Sequence, residues 1–204
     1  MKIVLGSSNP HKVKEINEII NYPRPLRERA AESRVRGKIE FILPPEGFDP
    51  DETGATFEEN ALIKAKAAWE LSNTWSLADD SGLCIDALGG KPGIYSARYE
   101  ETPQKRIDRV LKELEGVEDR SAHFTCHMTL IAPDGSVALS CEGRCEGSIV
   151  KEQKGTNGFG YDPIFLPDGY TQTIAELSEE TKNQISHRYN ALKQVIEYLY
   201  SSTL

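Results

Sequence analysis

Residues 77–87 read Leu77-Ala78-Asp79-Asp80-Ser81-Gly82-Leu83-Cys84-Ile85-Asp86-Ala87. Leu77 and Ala78 end a short buried strand, two carboxylates follow at once, and residues 83–87 return to extended, apolar chain. Buried next to such a run, a carboxylate is costly unless it is paired or holds a metal. If the chain is extended here, the two side chains point to opposite sides. One aspartate can then face a pocket while the other faces the scaffold. The competing reading is a surface turn, since Asp-Ser-Gly is common turn chemistry.

Outward from this stretch the pattern alternates between strand and helix. Residues 2–5 read as a buried strand, broken by Gly6-Ser7-Ser8-Asn9-Pro10. A helix follows over 12–20, with Val13, Ile16, Ile19 and Ile20 at helical spacing. The loop between them can offer backbone N–H groups to an anion. Residues 24–38 are arginine-rich and read as a solvated excursion, and 39–43 as a strand. Thr56 with Glu59 forms a capping-box pattern for a helix reaching about residue 71 or 72. Further on come a helix over 106–114 and two long strands, 122–132 and 136–150, joined by Pro133-Asp134-Gly135. A glycine-rich loop, GTNGFGYDP, precedes the last helix, which starts near 179 or 184 and runs to 198. This order predicts a mixed α/β fold in a single domain, 1–204, with two lobes around a cleft.

Bulk composition narrows the function classes. With 24 basic and 32 acidic residues the net charge is −8, which argues against a protein that coats nucleic acid. Nothing is long and apolar enough for a membrane span, and residues 3–5 are too short for a signal peptide, so a cytoplasmic protein is expected. The four cysteines, Cys84, Cys126, Cys141 and Cys145, read as buried free thiols.

Several groups could carry chemistry. Asp79 and Asp80 offer the hard oxygens that Mg²⁺ prefers, and Asp51-Glu52 is a second acidic pair. The 7–12 loop ends in Lys12 but is not a Walker A loop, because G-x-x-x-x-G-K-[ST] is absent. Gly158 and Gly160 flank Phe159, so backbone can approach a flat ligand while the ring stacks on a base. Lys182, His187 and Arg188 offer donors to a carbonyl or phosphate. Zinc at His123, Cys126, His127, Cys141 and Cys145 is disfavoured, because no C-x-x-C pair exists. Ser81 lacks the G-x-S-x-G setting of a serine hydrolase nucleophile.

Five segments, in order along nearly the whole chain, resemble the inosine triphosphate pyrophosphatases, also called dITP/XTP or non-standard purine nucleoside triphosphate pyrophosphatases. They are IVLGSSNPHKVKEI (3–16), TGATFEENALIKA (53–65), LADDSGLCIDALGGKPGIYSARY (77–99), GTNGFGYDPIF (155–165) and LPDGYTQTIAELSEETKNQISHRYNAL (166–192). The resemblance implies a long bent central sheet with flanking helices, a homodimer, and Mg²⁺-dependent cleavage between the α- and β-phosphates of ITP, dITP and XTP. It implies that Ser7, Ser8, Asn9, Pro10, His11 and Lys12 form the phosphate loop. By the same token Asp80 is general base and metal ligand, Glu52 a further metal ligand, and Lys64 and Ser81 substrate contacts. Phe159, Gly160, Tyr161 and Asp162, with Lys182, His187 and Arg188, would hold the base and its neighbours. The chain departs from the family's usual T-G-N at Ser7-Ser8-Asn9, and Asn157 replaces a common glycine.

Overall fold

The structure is a computed structural model of the chain, and it describes residues 1–21 and 39–201. The arginine-rich segment 24–38 lies outside the described residues. Seven strands among those described form one sheet: β1 (Lys2–Leu5), β2 (Glu40–Ile42), β3 (Ser76–Ile85), β4 (Lys91–Pro92), β5 (Ser121–Ile131), β6 (Val137–Ile149) and β7 (Phe165–Pro167). Their order is β2-β1-β3-β5-β6-β7, with β4 paired to β3. β1 runs parallel to both β2 and β3, whereas β4 and β7 pair antiparallel with β3 and β6. The α-helices among the described residues are α1 (Pro10–Asn21), α2 (Phe57–Ser72), α3 (Pro103–Glu113), α4 (Glu179–Ile185) and α5 (His187–Ser201). The fold is therefore mixed α/β, a central sheet with flanking helices, as the sequence pattern predicts.

The chain divides into two compact units, and β3, β5 and β6 each pass from one to the other, at residues 80/81, 125/126 and 143/144. In the first unit Ile16 and Ile19 of α1, Leu77 of β3, Met128 and Leu130 of β5, and Leu192 and Val195 of α5 share one apolar core. A smaller cluster joins Ala65 of α2 to Ala78 and Ile131. In the second unit Leu83, Ile107, Phe124, Ile164 and Phe165 form a separate core.

Local rules account for the element ends. Asn9 caps α1, its Oδ1 accepting from the His11 N–H at 3.0 Å, and Pro10 opens the helix where its missing N–H is not needed. Thr56 caps α2 by accepting from Glu59 N–H at 3.1 Å. Glu59 reaches past the cap to accept from Ala55 N–H at 2.6 Å, a variant of the capping box the sequence suggests. The turn between β5 and β6 is closed by Gly135 N–H on Ala132 O, and Gly135 sits at φ +84°.

Two elements differ from the sequence reading. β3 does not end at Ala78 but continues through Asp79-Asp80-Ser81-Gly82 to Ile85. The turn reading fails because both carboxylates have cationic partners, so the strand keeps its ladder through them. The last helix is two helices: Ser186 is extended, at ψ 151°, and its N–H closes α4 on Lys182 O at 2.9 Å.

Candidate active site

The apolar alternation along β3 decides what each aspartate meets. Leu77 belongs to the core beneath α1 and α5, and Ala78 to the cluster beneath α2. By the two-residue period, Asp79 joins the first face and Asp80 the second.

Asp79 is 3% exposed. Its Oδ2 receives Lys12 Nζ at 2.9 Å, Arg188 Nη2 at 3.3 Å and the Cys126 thiol at 3.8 Å. Arg188 Nη1 in turn donates to Glu15 Oε2 at 2.5 Å. Burial alone would raise the Asp79 carboxyl, but Lys12, Arg188 and Lys64 outweigh it and hold it well below the usual carboxylate range. Burial would weaken the Arg188 proton's hold, yet Glu15 and Asp79 strengthen it further. The Cys126 thiol is pushed up by burial first and by Asp79 second, so it stays protonated and donates. Lys12 alone in this group keeps an opening to solvent, at 15% side-chain exposure.

Asp80 has a different setting. Its Oδ1 accepts from Lys64 Nζ at 2.9 Å and its Oδ2 from Asn60 Nδ2 at 3.3 Å. Lys64 also reaches Glu52 Oε1 at 3.0 Å. Burial, helped by the Glu52 charge, raises the Asp80 carboxyl against the pull of Lys64 and Lys12. Burial would lower Lys64, but Asp80, Asp79 and Glu52 raise it. Both shifts point upward because one ammonium serves several carboxylates, while each carboxylate also feels its like-charged neighbours. Gly6 allows β1, α2 and β3 to close up here: a Cβ on it would lie 2.8 Å from Lys64 O and 2.9 Å from the Ala78 Cβ.

The phosphate loop expected at 7–12 joins β1 to α1. Ser7 Oγ accepts from Asn9 N–H at 3.2 Å, and Ser8, Asn9, Pro10 and His11 are exposed. The start of this twelve-residue helix carries no acidic residue, so its dipole is open to an anion.

In the second unit Asp162 organises the Phe159 loop. Its Oδ2 accepts from the Phe159 N–H at 2.9 Å and from Lys182 Nζ at 2.6 Å. The Lys182 ammonium lies 4.5 Å from the Phe159 ring centroid, a cation–π distance. Gly158, at φ +76°, is required: a Cβ there would lie 2.1 Å from Asp162 Oδ2. Gly160 is also left-handed, at φ +64°. Tyr161 is buried and donates its hydroxyl to Ser96 O at 3.0 Å, and burial pushes its phenol well above the usual range. His187 stacks on Phe124 with centroids 4.9 Å apart.

The structure thus brings Lys12 and Arg188 together on Asp79, and Glu52 and Asp80 together on Lys64, in the first unit, and Phe159, Asp162 and Lys182 together in the second. Tyr161 and His187 share that second unit, the one bonded to Ser96 and the other stacked on Phe124. Ser81 follows Asp80 in β3 and is half-buried. Arg188, which the resemblance assigns to the base, is 1% exposed, with both terminal nitrogens on Glu15 and Asp79. Sequence reasoning missed Asn60 and Glu15. Helical spacing carried the signal: Asn60 lies one turn before Lys64, and Glu15 three residues after Lys12. The cysteine and histidine set is scattered: Cys126 faces Asp79 while His127 Nε2 lies 2.8 Å from Ser140 Oγ. Among the described residues no group of three or more His, Cys, Asp or Glu is placed to hold a metal. Glu52 and Asp80 form a two-carboxylate set already converging on one cation. That set suits Mg²⁺, which is usually held by one or two carboxylates plus substrate phosphates.

A parallel-edged α/β sheet with a buried Asp pair, three flanking cations and an open helix N-terminus defines a phosphate-handling protein. The Ham1 family model matches residues 3–198, and the chain belongs to that family. It is 45% identical over 205 residues to the dITP/XTP pyrophosphatase of Oceanobacillus iheyensis, covering 98% of each chain. To the dITP/XTP pyrophosphatase of a Synechococcus strain it is 43% identical, covering 97% of this chain and 90% of that one. The solved Ham1 protein of Staphylococcus aureus superposes with a TM-score of 0.83 at 38% identity, over 99% and 100% of the two chains. The HAM1 protein of Coxiella burnetii gives 0.81 at 40% identity, over 98% and 99%.

Proposed function

We propose that this enzyme hydrolyses the non-standard purine nucleotides ITP, dITP and XTP to the monophosphate and pyrophosphate, removing them from the nucleotide pool. The carrying observation is the Asp80 carboxylate, buried beside Glu52 and bridged to it by Lys64. Mg²⁺ would be held by Glu52 and Asp80, where it neutralises triphosphate charge and orients the phosphates. Asp80 takes a proton from the attacking water. Asp79 cannot do this, because its neighbours hold it ionised and occupied. Lys12 and Lys64 stabilise the pyrophosphate as charge develops on it, and the first N–H groups of α1, with Ser7, Ser8 and Asn9, bind phosphate oxygens.

Phe159 stacks on the purine, and Asp162 and Lys182 fix the ring's loop. Donors there, backbone N–H groups together with Lys182 and His187, satisfy a 6-oxo group. Adenine's amino group would leave such donors unmatched, at about 1–3 kcal/mol per buried group. Arg188 serves the phosphate end instead, through Asp79.

The enzyme acts as one 1–204 domain and as a homodimer in the cytoplasm, with no nucleic-acid or membrane partner. Among the described residues no helix is long and apolar enough to cross a membrane. Product analysis with ITP and Mg²⁺ tests the reading. Pyrophosphate and IMP are expected; orthophosphate and IDP would mean a different phosphatase. A panel of ITP, XTP, GTP and dUTP tests the purine assignment, and sedimentation tests the dimer.

A further inference from the structure

The Lys64 ammonium is seated among the oxygens assigned to the metal. It lies 3.0 Å from Glu52 Oε1 and 2.9 Å from Asp80 Oδ1, and its side chain is 8% exposed. The seat is built rather than incidental. Asn60, one helical turn earlier on α2, donates to Asp80 Oδ2 and accepts the Gly54 N–H at 2.8 Å, so one side chain fixes both the aspartate and the loop carrying Glu52. Glu59 ties the same loop through Ala55 N–H. Asn60 and Glu59 thus hold the two carboxylates around the Lys64 ammonium.

An ammonium and a divalent ion seek the same hard carboxylate oxygens. Two positive charges within about 4 Å in a partly desolvated site repel each other strongly. They cannot both occupy these oxygens. We propose that Lys64 is an internal counter-ion that keeps divalent metal off Glu52 and Asp80 until a triphosphate gives its ammonium another anionic partner. The inference rests on the reading that these two carboxylates hold Mg²⁺ with the substrate. When the triphosphate enters, Lys64 exchanges a carboxylate oxygen for a phosphate oxygen, and the freed oxygens accept the metal. Metal and nucleotide thus load together, and the free enzyme does not carry a resident ion. Lys12 does not compete in this way, because its partner is Asp79.

The test is binding of Mn²⁺ alone to the full-length protein, read by the loss of the free-ion EPR signal, without nucleotide. Wild type is compared with Lys64→Gln, Lys64→Met and Lys64→Arg. The titration is repeated with an ITP analogue carrying a non-hydrolysable α–β bridge. Without nucleotide, Lys64→Gln and Lys64→Met should bind Mn²⁺ about tenfold tighter than wild type or more. Lys64→Arg should match wild type, and the gap should close when the analogue is present. Equal Mn²⁺ affinity in wild type and the neutral variants, with metal bound in the presence of analogue, overturns the counter-ion role and leaves the metal reading standing. No Mn²⁺ binding to any of the proteins even with analogue overturns the metal reading itself. Should the neutral variants not fold, the lysine Nζ resonance of wild type decides. It should shift with Mg²⁺ plus analogue and stay in place with Mg²⁺ alone; an equal shift with Mg²⁺ alone defeats the proposal.

Discussion

The two faces of β3 hold consecutive aspartates, yet they are different chemical devices. On the Asp79 face donors from α1, α5 and β5 converge on its Oδ2. The result is an ionised, buried carboxylate that fixes the place of Lys12. On the Asp80 face the partners come from a single helix, Asn60 and Lys64 of α2, and the lysine is shared with Glu52. Burial there is less fully compensated, and the carboxyl is left more basic. One aspartate is locked among its cationic partners, and the next is the one we propose for proton transfer. The difference follows from strand alternation, because one residue's shift selects a new set of neighbours.

Substitution at Asp80 should give the largest effect. Asp80→Asn keeps the shape and the Asn60 contact but removes the base. Pyrophosphate release from ITP should fall about a thousandfold, measured at saturating substrate. Full activity would end the distinction drawn between the two faces. Asp79→Asn should act on stability. Removing one partner of a buried charge cluster leaves Lys12 without its carboxylate and Arg188 with Glu15 alone, at a cost of about 3 kcal/mol in denaturant unfolding.

The pH dependence sharpens the contrast, in metal-free buffer. Asp79 has a depressed folded-state pKa, so its contribution is complete above the unfolded value of about 3.9 and is lost as pH falls below it. Asp80 has a raised folded-state pKa, so its effect has the opposite sign: stability falls as pH rises above about 3.9 through the folded value. Unfolding curves across this range should show Asp79→Asn flattening the acid loss and Asp80→Asn flattening the loss on the alkaline side. Parallel profiles for the two variants would show that the faces are equivalent. The smaller effects belong to the second unit and the helix ends. Asp162→Ala frees the Phe159 N–H and Lys182, and KM for ITP should rise about tenfold with kcat changed less. Thr56→Ala should cost about 1 kcal/mol of stability with activity retained.

Much of the site could be read from the chain. Local chemistry announces the Asn9-Pro10 helix start, the Thr56 cap and the Pro133-Asp134-Gly135 turn, because each depends on residues within a few positions. The glycines around Phe159 were equally legible, since a left-handed backbone calls for them. The extent of β3 was not. Asp-Asp-Ser-Gly has turn propensity, and only Lys12, Lys64 and Arg188, all distant in sequence, make a strand of it. The break at Ser186 was likewise hidden, because nothing in Ile185-Ser186-His187 forbids a continuous helix.

By itself the sequence determined the α/β alternation, the family, and the residue types that handle a triphosphate, because these rest on periodicity, capping and ordered motifs. Tertiary structure alone decided which aspartate is locked and which is available, that Lys64 stands between Glu52 and Asp80, and that Arg188 turns to Glu15. Those outcomes depend on charges brought within 3–4 Å from distant parts of the chain, and at such distances a buried partner sets the state of a carboxylate more strongly than its own sequence neighbours do.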